Sequence, residues 1–166
     1  MSVDNLKELY LEQLQDLASA NRQSLRVTRE LAAAARDPEL AEALQAGVAG
    51  IESGLEAIES ILADHGADPA AAHCKGMEGL VAEARQHALH EKFGDGDVRD
   101  AMIITQYQRM MHYAIAGYGT VLNFADRLGD TDAASKLKIC LENTRSGDKH
   151  MTAIAERRVN EQAMAG

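Results

Sequence analysis

Asp148 makes the strongest chemical demand in this sequence. It falls on the stripe Leu137, Leu141, Thr144, Asp148 and Met151 of a predicted helix, so a carboxylate stands on an apolar face. A carboxylate buried there must be paired, hydrogen-bonded or protonated, because its charge loses the solvation of water. Asn21, Gln108 and Thr144 lie on inward or flanking faces and could form a polar knot around it. No second titratable group clearly shares the position. The knot therefore reads as a clamp on helix register, with a catalytic acid as the alternative.

The remaining candidates lack partners. His87 and His90 stand three apart and His73 precedes Cys74, but neither group has the ligand set that zinc or copper needs, so surface roles are expected. His112 falls off the apolar stripes, near Arg109 and Ala116, and is expected at a flank or an interface. Cys74 and Cys140 are 66 positions apart and form no CxxC motif. Two reduced, partly buried thiols are expected. No GxSxG, phosphate loop or dinucleotide fingerprint is present.

The elements that position these residues are helices. The first is predicted over about 4–36, with apolar or small residues recurring at Leu6, Tyr10, Leu17, Ala20, Val27 and Leu31. Asp37-Pro38 breaks it and starts a second helix, 38–65, with Asp37 as N-cap and Pro38 in the first turn. Leu44, Val48, Ile51, Leu55, Ile58 and Leu62 make its stripe, and Gly66 ends it. A short helix over 77–90 follows a turn at Ala67-Asp68-Pro69. The third long helix, 97–128, has two inward stripes, one through Gln108, Met111 and Ile115 and the other through Tyr107, Met110 and Ala114. It is expected to pack against more than one neighbour. Gly129-Asp130 leads into the fourth, 131–162. Tight joints within each pair and a connector of about thirty residues, long enough to run back along the second helix, predict two antiparallel hairpins joined by one crossover. The fold class is thus all-α: a four-helix bundle, one domain over 1–166, with a short extra helix in the crossover.

Composition agrees. Hydrophobic residues make up 46% of the 166, with two prolines and no tryptophan. The net charge of −9 argues against a nucleic-acid partner, which needs clustered Lys and Arg. No apolar run is long enough for a membrane span, and the first residues lack a signal-peptide pattern, so a cytoplasmic location is expected.

Four segments together resemble the YciE/YciF family of bacterial ferritin-like proteins over nearly the whole chain. They are Leu14-Gln-Asp-Leu-Ala-Ser-Ala-Asn-Arg-Gln23, Cys74-Lys-Gly-Met-Glu-Gly-Leu80, Val98-Arg-Asp-Ala101, and Gln108-Arg-x-x-His-Tyr-x-Ile-Ala-Gly-Tyr-Gly-Thr120. The resemblance implies a ferritin-like bundle, often dimeric, in cytoplasmic proteins linked to stress, with an activity that is poorly defined. It also implies where a dinuclear iron or manganese centre would draw its ligands, and this chain departs at nearly every position. Asn21 stands on the first helix, Gly50 and Gly54 on the second, Met111 and Ala114 on the third, and Thr144 on the fourth. Asp148 alone keeps an acid, as the remnant of a ligand network. One carboxylate cannot hold two hard cations, so no metal or other cofactor is expected.

Gly47, Gly50 and Gly54 share a face of the second helix. Each mid-helix glycine costs about 1 kcal/mol relative to alanine, so a neighbouring helix or bulky side chain is expected close by. Met110 and Met111 could fill space left by lost ligands, giving a repacked core. A cavity for a small apolar or aromatic ligand is the alternative. Three functions follow: a non-catalytic, stress-associated homodimer with a degenerate metal site; a dinuclear iron or manganese oxidase or peroxide scavenger with unusual ligands; or a small-molecule binder. The first is preferred, leaving the protein leaning away from enzymes.

Overall fold

The computed structural model describes residues 3–165. Met1, Ser2 and Gly166, which the expected 1–166 domain and the reading of the N-terminus include, lie outside the described residues. Helix α1 (Leu6–Ala34) and helix α2 (Pro38–Asp64) form one hairpin. Helix α3 (Lys75–Ala84) follows, continued by a π-helical turn over Arg85–His90. Helix α4 (Gly96–Leu128) and helix α5 (Thr131–Ile154) form the second hairpin. The expected last helix is not uniform: α5 passes through a π-helical segment, Ala155–Val159, into α6 (Asn160–Met164). The wider turn brings Ile154 and Val159, five apart and both 0% exposed, into the same core cluster.

Caps set these boundaries. Asn5 caps α1 by accepting the Glu8 N–H at 3.0 Å, and the Glu8 carboxylate accepts the N–H of Asp4, one residue before the cap, at 2.8 Å. Asp37 caps α2 by accepting from Glu39 and Leu40, with Pro38 in the first turn. Asp130 caps α5. Gly129, with φ +75°, supplies the left-handed residue that ends α4.

Helix α1 packs on α2 and α4, and α5 packs on α4 and α2. The α1–α2 corner meets the start of α4, since Asp100 accepts the backbone N–H of Arg36 at 3.0 Å and of Asp37 at 2.7 Å. At the other end, His65 lies 3.0 Å from Asp130 and joins the end of α2 to the start of α5. The crossover therefore runs the length of the bundle. It is pinned along α1: Gln15 donates to the Asp68 carbonyl, Arg22 to Pro69 and Gln23 to Cys74. This is the ferritin-like connectivity of two hairpins and one long crossover. Among the described residues no helix is long and apolar enough to cross a membrane.

The core forms two clusters. One, around Leu31, Leu40, Leu44, Ile103 and Met110, lies toward the Asp37 end. The other, around Tyr10, Leu14, Ile58, Val121 and Leu137, lies toward Asp130. Each fully buried Leu or Ile contributes about 1.5–3 kcal/mol. Between the clusters, α2 and α5 leave a gap.

Candidate functional site

That gap is a cleft of about 460 Å³ between α2 and α5, reaching inward to α1 and α4. It corrects the expectation of a closed, repacked core. Met110 is fully buried in the cluster toward the Asp37 end, and Met111 lines the cleft without filling it. The reason is steric: six of the eight α2 residues that line this space are Ala43, Ala46, Gly47, Gly50, Gly54 and Ala57, which carry no more than a methyl group, beside Ile51 and Ser53.

The cleft gathers six of the seven positions singled out by the sequence. Asn21, Gly50, Gly54, Met111, Ala114 and Thr144 all line it. Asp148 does not. Its carboxylate turns to the seam between α4 and α5, where Oδ1 accepts from Gln108 Nε2 at 3.1 Å and Oδ2 lies 3.0 Å from His112 Nε2. The expected knot is corrected accordingly. Gln108 joins Asp148, but the Asn21 amide donates to Tyr118 Oη at 2.7 Å and Thr144 Oγ1 donates to the Cys140 carbonyl at 2.7 Å. A second titratable group does share Asp148's position: the exposed His112, expected from sequence at a flank or an interface.

Two residues of the site were read from sequence only as core. Tyr107 and Tyr118 are each 3% exposed, and both rings line the cleft. Their hydroxyls lie against α2 where Cβ atoms of Gly47 and Gly54 would be, with ring Cζ atoms 3.1 and 3.3 Å from those points. The glycines opposite were the signal for them. Gly50, between the two, has no atom within 4 Å of its Cβ position and opens onto the cleft. Burial, helped by the charge of Asp148, pushes the Tyr107 hydroxyl up to about 12. Burial also raises Tyr118, against the opposing hydrogen bond from Asn21. Both phenols are protonated donors at neutral pH.

Tyr118 is engaged by Asn21, whereas no hydrogen bond to the Tyr107 hydroxyl forms among the described residues. The rim carries Lys136, paired with Asp132 at 2.8 Å, together with His150 and the exposed Ile139. Burial raises the Cys140 thiol, which also lines the cleft. No Asp or Glu belongs to the lining. Its donors are two amides, two phenols, two hydroxyls, a thiol, two thioethers, one imidazole and one amine, a set without an anionic oxygen and unsuited to two hard divalent cations. Among the described residues, no group of three or more His, Cys, Asp or Glu side chains could hold a metal ion. His73 Nε2 lies 3.1 Å from Glu78 and His87 Nδ1 lies 2.6 Å from Glu91, both away from the cleft.

Residues 5–164 match the family model described as a domain of unknown function, DUF892. Protein YciF of Escherichia coli (strain K12) is 31% identical over 164 residues, covering 98% of each chain. The crystal structure of the E. coli stress protein YciF superposes with a TM-score of 0.88, over 95% of this chain and 99% of that one. YcfI from Rhodopseudomonas palustris, 24% identical, superposes with a TM-score of 0.84 over 91% and 95%.

Proposed function

The chain belongs to the DUF892 family, and within it we propose a non-catalytic, stress-associated helical-bundle protein in which a degenerate metal site has become an open cleft. One observation carries this reading. Six positions from all four long helices converge on a single cleft, and none supplies a carboxylate. Loss of ligands on one helix could be local, whereas loss on all four removes the charge that holds hard cations. The oxidase and peroxide-scavenger reading would need anionic oxygens that this lining does not offer. The stress role is proposed from the relative described as a stress protein. A cytoplasmic homodimer is proposed with it, without a nucleic-acid partner at a net charge of −9 and without a membrane partner. Its oligomeric state is testable by sedimentation.

Elemental analysis of protein purified without chelator tests the reading. Less than about 0.1 equivalent of iron or manganese per chain is expected, from the ligand chemistry. Two equivalents would overturn it in favour of the dinuclear oxidase.

A second reading, small-molecule binding, is favoured by the cleft itself. Its volume lies in the range of ligand sites, about 300–1,000 Å³, and its walls are mainly apolar with few polar groups.

A further inference from the structure

Resting on the small-molecule reading of the cleft, we propose that it takes a flat, uncharged aromatic molecule carrying a hydrogen-bond-accepting oxygen, with that oxygen seated on Tyr107 Oη. The side chain of Tyr107 is 97% buried, since 3% is exposed, yet its hydroxyl has no hydrogen-bonding partner among the described residues. The fully buried polar side-chain atoms without a partner among the described residues are Tyr10 Oη, Arg99 Nε and Gln106 Oε1, so the Tyr107 hydroxyl is open to the cleft, where an incoming acceptor takes the place of water. With its hydroxyl raised to about 12, Tyr107 donates at neutral pH.

Shape restricts the ligand further. Gly47 and Gly54 lie under the two tyrosine hydroxyls. Seven residues at about 1.5 Å each separate them by about 10 Å, the length of a two-ring aromatic system. Gly50 leaves the floor between them open. Met111 and Met151 stand in the walls, where thioether sulfur makes favourable contacts with aromatic rings. Charge restricts it again. The lining has no carboxylate, and Lys136, its one lysine or arginine among the described residues, is already paired with Asp132. Neither a cation nor an anion finds an unpaired counter-charge on a lysine, arginine or acid.

The test uses 2-acetylnaphthalene and 2-ethylnaphthalene, alike in shape but differing in the acceptor oxygen, titrated calorimetrically into the full chain. The acetyl probe is expected to bind one to one, about 5- to 10-fold tighter than the ethyl probe, the worth of one neutral hydrogen bond. Tyr107→Phe should abolish that difference. Gly50→Leu should abolish binding of both probes while the variant melts no lower than the parent, because a Cβ there meets no atom within 4 Å. Equal affinity of the two probes, or a difference that survives in Tyr107→Phe, overturns the acceptor assignment. If Gly50→Leu still abolishes binding in that case, the cleft reading itself stands. Undiminished binding to Gly50→Leu, or no binding of either probe, overturns both.

Discussion

His112 Nε2 lies 3.0 Å from Asp148 Oδ2, on the side of α5 that faces α4 and not the cleft. His112 is largely exposed, so the ion pair itself is screened by water. Gln108 is the stronger partner, donating both to Asp148 and to Thr152 Oγ1 at 2.8 Å. Asp148→Ala is therefore expected to destabilise by about 1–2 kcal/mol in urea unfolding, through the lost bond to a charged acceptor. His112→Ala should cost less than about 1 kcal/mol. The reverse order would mean that the His112 pair, not Gln108, holds the seam.

Gly50 and Gly54 of α2 should respond to alanine with opposite signs. Gly50→Ala is expected to stabilise by about 0.5–1 kcal/mol, since its Cβ enters open space and the helix gains propensity. Gly54→Ala places its Cβ on the Tyr118 hydroxyl and should destabilise by about 1–3 kcal/mol through overpacking. Tyr118→Phe removes the obstructing oxygen, so Gly54→Ala should cost less in that background. Additive effects in thermal unfolding would show that the ring, not its hydroxyl, sets the contact.

The sequence displays why most of this was legible and where it stopped. Asp37-Pro38 and Gly129 mark helix ends through local chemistry, and the Leu44-to-Leu62 stripe needs only the helical repeat. Six site positions could be placed together because the family resemblance set each of them at a ligand position of one centre. Asp148 was misplaced because an inward stripe faces two neighbours. Four residues at about 100° each put it about 40° round the helix from Thr144. That rotation moves it from the side facing α2 to the side facing α4, a distinction periodicity does not carry. The cleft was illegible for a different reason: a sum of side-chain volumes closes or opens a core only once the helix separation is known.

Acid should loosen the corner held by Asp37. Burial opposes its charge, but the Leu40 N–H, the Arg158 guanidinium and the Glu39 N–H together hold its carboxyl below 3.8. A lowered folded value means that Asp37 stabilises fully above the ordinary carboxylate range and loses that contribution as pH falls through the lowered value. Asp100 beside it behaves oppositely, because burial raises its carboxyl and protonation relieves that cost. Asp37→Asn keeps a competent N-cap but removes the charge facing Arg158. The variant should be less stable than the parent at pH 7 and converge toward it as pH falls through the lowered value of Asp37. A stability difference independent of pH would place the effect in cap geometry instead of charge.

The two thiols should separate by reaction rate. Cys74 is 1% exposed, and its sulfur lies 2.9 Å from the Tyr113 hydroxyl and accepts the Met77 N–H at 3.4 Å. Burial raises it, against the bonds from Tyr113 and Met77. Cys140 is also raised by burial, but it is half-buried and lines the cleft. Since the thiolate is the nucleophile, both should react with an aromatic disulfide reagent at pH 7.5 at least about 10-fold more slowly than in denaturant. Cys140 should react first, directly from the folded state through the cleft. Cys74 should wait for the opening of α3, so mild urea should accelerate Cys74 and leave Cys140 nearly unchanged. Cys140→Ser should remove the faster phase alone. A fast phase that persists in Cys140→Ser would mean that α3 opens readily from α1 and α4, contrary to the packing of Met77 and Val81 in the core.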